Sequence, residues 1–265
     1  MTASNAARTR ANAKAHGEPW IEIDGVAHAF GQVRALDRID LSLEQHARLA
    51  LVGPSGCGKS TLLSIIAGLT EQSAGVVSVG GVSDARGRLA RCALMPQKDL
   101  LLPWRTALDN ACLALENKGL KRAEARHRAR PLFERFGLAQ FEEQFPAQLS
   151  GGMRQRVAFL RTLMAEKEVL LLDEPFGALD SITRGQMQDW LADALKQEPR
   201  TIVLVTHDVE EALMLCDRVA VLSARPGRIV SIIDVTIPRV GHRRAIVTTP
   251  EFVRLREQAL EALEC

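Results

Sequence analysis

Hydrophobic positions change period several times along the chain, and the changes mark out its elements. Ile21–Ile23 and Val26–Phe30 are short apolar runs with a turn between them, followed by Ala35–Leu43 and the compact run Arg48–Val52. These predict a small, largely antiparallel sheet leading into a first buried parallel strand. The strand at Leu49–Val52 ends in a glycine-rich turn, and Ser60–Leu69 then carries a helical period closed by Gly68. Over residues 106–148, apolar positions at helical spacing alternate with Lys121, Arg122, Glu124, Arg126, Arg128 and Arg130. That predicts an inserted helical subdomain over about 98–150, its charge run a solvated helix face. A helix over Met153–Met164, apolar strands at Val169–Leu172 and Thr201–Val205, and a helix over Ile182–Lys196 complete an alternation expected of a wound α/β sheet. Residues 20–240 read as one domain, with 1–19 a polar disordered tail and 241–265 a helical extension.

Charge narrows the partners. The 34 Lys and Arg against 32 Asp and Glu leave a net +2, which gives no electrostatic reason to expect nucleic acid. No run approaches the roughly 18 apolar residues of a membrane-spanning helix, and the first residues lack an apolar signal core. The five cysteines (Cys57, Cys92, Cys112, Cys216, Cys265) are scattered and read as free thiols, which points to the cytoplasm.

Chemistry enters at Gly53-Pro54-Ser55-Gly56-Cys57-Gly58-Lys59-Ser60, which satisfies G-x-x-x-x-G-K-[ST] between a buried strand and a helix. The glycines let successive N–H groups turn inward around phosphate oxygens, and the helix adds the positive end of its dipole. Lys59 supplies a cation for the outer phosphates, the Ser60 hydroxyl suits Mg²⁺, and Thr61 continues the helix N-terminus. By composition alone the four fixed positions would arise roughly once per hundred chains of this size. A second apolar strand, Val169–Leu172, ends in Asp173 and Glu174. Adjacent strand residues point to opposite sides, so Asp173 is placed to hold Mg²⁺ and Glu174 to orient the attacking water. A third strand, Thr201–Val205, leads to His207, within reach of a terminal phosphate.

Leu149-Ser150-Gly151-Gly152-Met153-Arg154-Gln155-Arg156 resembles the signature sequence of the ATP-binding-cassette (ABC) family, and from about residue 20 the resemblance extends over nearly the whole chain. Phe30 matches the aromatic that stacks on adenine, Gln97 the Q-loop glutamine, which also reaches the metal, Gly177-Ala178-Leu179-Asp180 the D-loop and His207 the switch histidine. The resemblance implies an α/β, P-loop NTPase (RecA-like) wound sheet core with an antiparallel β subdomain and an inserted α-helical subdomain. It also implies ATP and Mg²⁺ as cofactors and a head-to-tail homodimer in the ATP-bound state. There Ser150, Gly151, Gly152 and Met153 of one subunit, with Asp180 nearby, close on the ATP of the other. Two departures stand out. Met153 replaces a frequent glutamine, and His46-Ala47 stands about where a Gly-Glu turn is usual, putting that loop's geometry in question.

Leu101-Leu102-Pro103-Trp104-Arg105-Thr106, the segment from Ala224 through Arg239, and Phe252–Leu263 are similar to importers of nitrate, sulfonates and taurine. That implies permease partners, an indirect solute-binding protein, and a peripheral place on the cytoplasmic face of the inner membrane. Trp104 is then a docking anchor or a core residue of the subdomain seam. Rival readings are a soluble cassette ATPase of DNA repair or ribosomes, and a binding module without catalysis. The single cassette and modest insertion disfavour the first, and Glu174 with His207 the second.

Overall fold

A computed structural model describes residues 19–197, 199–238 and 243–264 of the chain. All but the last residue of the expected tail, and Cys265, lie outside the described residues.

Three strands, β1 (Ile21–Phe30), β2 (Val33–Leu43) and, after β3 (Arg48–Val52), β4 (Ala74–Val79), include an antiparallel sheet ordered β2-β1-β4. β5 (Cys92–Met95), β6 (Val169–Asp173), β7 (Thr201–Val205), β8 (Arg218–Leu222) and β9 (Ile229–Asp234) join β3 in a second sheet ordered β5-β6-β7-β3-β8-β9. Its pairings are parallel except that of β9 with β8. β1 is one strand where the hydrophobic pattern predicts two, because pairing runs past Gly25 through register shifts between Ile23 and Val26. The turn signal there is a bulge. β4, β5, β8 and β9 lie outside the predicted strands; β5, at four residues, is too short to show a period.

Alternate side chains of the central strands feed two separate cores. Leu49, Leu51, Val169, Leu171, Val203 and Val205 pack with α1 (Lys59–Ile66) and the antiparallel sheet. Ala50, Val52, Leu170, Leu172, Ile202 and Leu204 pack on the opposite face, beneath the helical insertion and the C-terminal helix. Burial on both faces is why these strands read as unbroken apolar runs. At the start of β3, His46 takes the left-handed turn (φ 64°) where glycine is easier, its N–H held by Thr201 Oγ1 at 2.9 Å.

After α2 (Ala85–Arg91), the segment expected to be helical holds α3 (Ala107–Asn117), α4 (Arg122–Arg135) and two short 3₁₀ turns, and α5 (Gly151–Leu163) follows it. That segment's charge run is more than a solvated face. Asp109, on α3, is buried and pairs with both Arg122 and Arg126. Burial pushes its carboxyl up, but the two guanidiniums outweigh burial and hold it below the usual carboxylate range. The chain continues through α6 (Ser181–Gln197), α7 (Val209–Leu215), α8 (Arg243–Val247) and α9 (Pro250–Glu264), which buries Phe252, Leu255 and Ala259.

Candidate functional site

β3 delivers residues 53–58 to the N-terminus of α1. Gly58 has φ 103°, and a Cβ there would lie 2.6 Å from Leu36 Cδ2, so only glycine closes this loop onto β2. The first N–H groups of α1, from Lys59, Ser60 and Thr61, have no earlier helical turn to bond, an arrangement that suits an anion. Lys59 is folded over the loop, its Nζ donating to the carbonyls of Gly53 (2.8 Å) and Pro54 (2.9 Å) and facing Cys57 Sγ at 3.6 Å. Cys57 is buried, so only its backbone can face a ligand, whereas Pro54, Ser55, Gly56 and Ser60 are exposed. Phe30, at the tip of the β1–β2 hairpin, is 58% exposed and meets His28 edge-on at 4.5 Å. Its free face suits a stacked base.

Residues 223–228, between β8 and β9, brace the loop from outside. Gly227 donates its N–H to Ala35 O (2.9 Å) and accepts from Asp37 N–H (3.0 Å), while Arg225 Nε donates to Gly56 O (3.1 Å). A Cβ on Gly227 would sit 2.1 Å from the Cys57 carbonyl, so this strap also requires glycine.

Asp173 ends β6 almost fully buried beside Ser60. Burial raises its carboxyl, with Glu174 adding to the rise, against the Ser60 hydroxyl and the Lys59 charge. Glu174 has left the strand. Its left-handed backbone (φ 49°), not strand alternation, separates the two acids. This conformation is uncommon outside glycine and is held by Glu174 N–H on Val205 O (2.9 Å) and Gln155 Nε2 on Glu174 O (2.8 Å). Gln97 Nε2 donates to Glu174 Oε2 at 3.1 Å, and His207 Nδ1 lies 3.6 Å from Glu174 Oε1. Gln97, Glu174 and His207, far apart in sequence, therefore meet at one carboxylate.

These donors fit Mg²⁺. Ser60 and Asp173 supply oxygens, and the Gln97 amide, whose nitrogen is on Glu174, has its oxygen to offer. Among the described residues no group of three or more His, Cys, Asp and Glu could hold a metal unaided. A cation that keeps waters and takes nucleotide oxygens suits such a sparse set.

Ser150 caps α5, its Oγ accepting Met153 N–H at 3.2 Å, and the helix N-terminus at Gly151 and Gly152 has the geometry that suits an anion. Asp180 caps α6, its Oδ1 accepting the N–H groups of Thr183 (3.0 Å) and Ile182 (3.1 Å), which hold its carboxyl below the usual range.

Residues 36–177 match the family described as ABC transporter. The chain is 43% identical over 230 residues to the taurine import ATP-binding protein TauB of Rhizobium johnstonii, covering 85% of this chain and 87% of that protein. It is 49% identical over 204 residues to the aliphatic sulfonates import ATP-binding protein SsuB 1 of Rhodococcus jostii, covering 77% and 79%. A dimeric post-hydrolysis structure of an ATP-binding cassette bound to ADP and Pi superposes with a TM-score of 0.74 at 28% identity, over 84% of this chain and 100% of that one. The chain belongs to the ABC transporter family.

As a member, it binds and hydrolyses ATP. Three residues of this ABC cassette escaped the sequence reading of the site. Gln155, read there only as part of the signature, links its helix to the turn after β6, donating to Glu174 O and accepting Ala178 N–H at 2.7 Å. No local pattern marked this role, since both its burial and its partners come from the folded chain. Arg225 braces the phosphate loop through a contact between residues 169 apart, which no local pattern reports. Glu211, on α7, is 5% exposed and accepts the Thr206 hydroxyl at 2.7 Å.

Burial pushes the Glu211 carboxyl up to about 7. The folded chain therefore keeps a proton that the unfolded chain releases near 4.5. Its contribution to stability is present in full below that value and is lost as pH rises to about 7. Relative to Glu211→Gln, which cannot ionise, wild type is expected to lose on the order of 3 kcal/mol between pH 4.5 and 7.5. Urea unfolding of both proteins across that range measures the difference, and parallel curves would contradict it.

Proposed function

We propose that the chain energises an importer of a small anionic solute, such as taurine, another sulfonate or nitrate, from the cytoplasmic face of the inner membrane. The convergence of Gln97 and His207 on Glu174 beside the phosphate loop carries the hydrolytic part of the reading. In it, Phe30 stacks on adenine and residues 53–61 wrap the phosphates. Ser60, Asp173 and Gln97 would hold Mg²⁺, which would neutralise phosphate charge. Glu174 accepts a proton from the attacking water while Gln97 and His207 fix its carboxylate. Ser150, Gly151, Gly152 and Met153 close on the nucleotide of a second copy, with Asp180 beside them, so that the ATP-bound state is a homodimer.

The names of the relatives support the importer reading, and so does the surface around Trp104. This side chain is 71% exposed and Leu100 60%, which removes Trp104 from the core of the seam. The loop that presents them is stiff. Buried Asn110 accepts Leu102 N–H (2.7 Å) and donates to the carbonyls of Leu102 and Arg105 (both 3.1 Å). Arg161 holds the carbonyls of Asp99 (2.7 Å) and Leu100 (2.8 Å). A rigid, exposed aromatic loses little entropy on binding and suits a permease helix. No helix among the described residues is long and apolar enough to cross a membrane.

Trp104→Ala is expected to keep the isolated ATPase rate within about twofold and to lose at least about tenfold in permease recovery, as for an interface anchor. Phosphate release by the isolated chain tests the first, and pull-down of the tagged chain from gently solubilised membranes, followed by mass spectrometry, the second. A co-purifying multi-span permease, with or without a solute-binding protein, supports the proposal. Recovery of ribosomal or DNA-repair proteins without a permease would sink it.

A further inference from the structure

His207 follows β7 with its side chain 65% exposed, so its aim depends on the turn beneath it. That turn is built on a buried carboxyl. Thr206 is 1% exposed; its hydroxyl donates to Glu211 Oε2 at 2.7 Å and accepts Asp208 N–H at 3.0 Å. Its own N–H donates to Leu51 O at 3.3 Å, on the strand that leads into the phosphate loop. Asp208 Oδ1 accepts the N–H groups of Glu210 (2.9 Å) and Glu211 (3.1 Å), closing the ring from the other side. Both chain neighbours of His207 are thus tied to the position of Glu211, whose Oε1 is buried without a hydrogen-bond partner among the described residues.

We propose that Glu211, acting through Thr206, is a positioning residue for ATP hydrolysis that fixes the 206–208 turn and so aims His207 at Glu174. The inference rests on the reading of His207 as a residue of the hydrolytic site. Glu211 does not touch the reacting atoms.

The charges facing Glu211 are Asp208 from its own turn, Arg184 from α6 and Arg243 from α8. Arg184 Nη1 stands 3.8 Å from Asp208 Oδ2. On α9, Arg256 turns instead to Glu210 at 3.3 Å. The charged residues of β3 and β8, Arg48 and Arg218, begin their strands, at the end away from Thr206. An ionised carboxylate accepts the Thr206 hydroxyl more strongly than a neutral one. Because burial holds the Glu211 proton up to about 7, the brace firms as pH rises through neutrality.

The test is a double-mutant cycle on steady-state ATP hydrolysis by the full-length chain, with Glu211→Ala, His207→Ala and the pair. Loss of a hydrogen bond to a charged acceptor is expected to lower kcat about tenfold in Glu211→Ala, with the KM for ATP within about twofold. The double variant is expected to be no slower than His207→Ala alone. Glu211→Gln keeps a neutral acceptor and is expected to lose the rise of kcat between pH 6 and 8 while staying near the wild-type rate at pH 6. Should Glu211→Ala fail to fold, Thr206→Val takes its place in the cycle, and Thr206→Ser, which keeps the hydroxyl, is expected to restore the rate. Multiplying losses in the double variant, or a fall in ATP affinity matching the fall in kcat, would overturn the positioning role. A wild-type rate in His207→Ala would remove the reading of His207 itself, a result distinct from failure of the cycle.

Discussion

Glu174→Gln is expected to bind ATP as wild type does and to hydrolyse it about 10²–10⁴-fold more slowly, the span assigned to a lost general base. The substitution keeps the shape of the side chain and its place between Gln97 and His207. It removes only the capacity to take a proton. The backbone at this position is held by Val205 O and Gln155 Nε2, neither of which depends on the carboxylate, so the left-handed turn is expected to survive. Fluorescent-nucleotide titration and phosphate release separate the two effects. Size-exclusion chromatography with ATP is expected to show an accumulated dimer, since in the proposed cycle hydrolysis separates the pair. Normal turnover would take the base role from Glu174.

Lys59→Ala acts on binding instead. The ammonium lies at the centre of the loop curvature, where two carbonyls of the loop itself are its partners. A phosphate in that cradle gains a charge-assisted contact worth on the order of 1.5–3 kcal/mol, so the Kd for ATP is expected to rise roughly ten- to hundredfold. Isothermal calorimetry measures it, alongside the melting temperature without nucleotide. An unchanged Kd would remove the phosphate-loop assignment from residues 53–61.

Local patterns reveal what local chemistry determines. The phosphate loop, the acids at the end of β6 and the serine cap of α5 each depend on neighbours within a few residues, and each is readable from the order of side chains. β5 is different, because its four residues become a strand only by pairing with β6, 77 positions on (Cys92 with Val169). Glu211 and Arg225 are invisible for the same reason, since a charged residue acquires a burial or a partner only from the tertiary structure. The separation of Asp173 from Glu174 was anticipated on strand alternation, yet it comes from a backbone turn that a glutamate adopts only because its neighbours hold it there.

The placement of β3 bears on how the protein is made. Its two partners in the sheet, β7 and β8, and the strap over the phosphate loop all come from residues 201–228. A ribosome adding about 5–20 residues per second leaves the finished β3 waiting roughly ten to thirty seconds for them. During that interval the phosphate-loop sequence has emerged without the sheet that shapes it. The nascent chain therefore gains its nucleotide pocket late, and ATP in the cell can stabilise the fold only once residues 201–228 have been made.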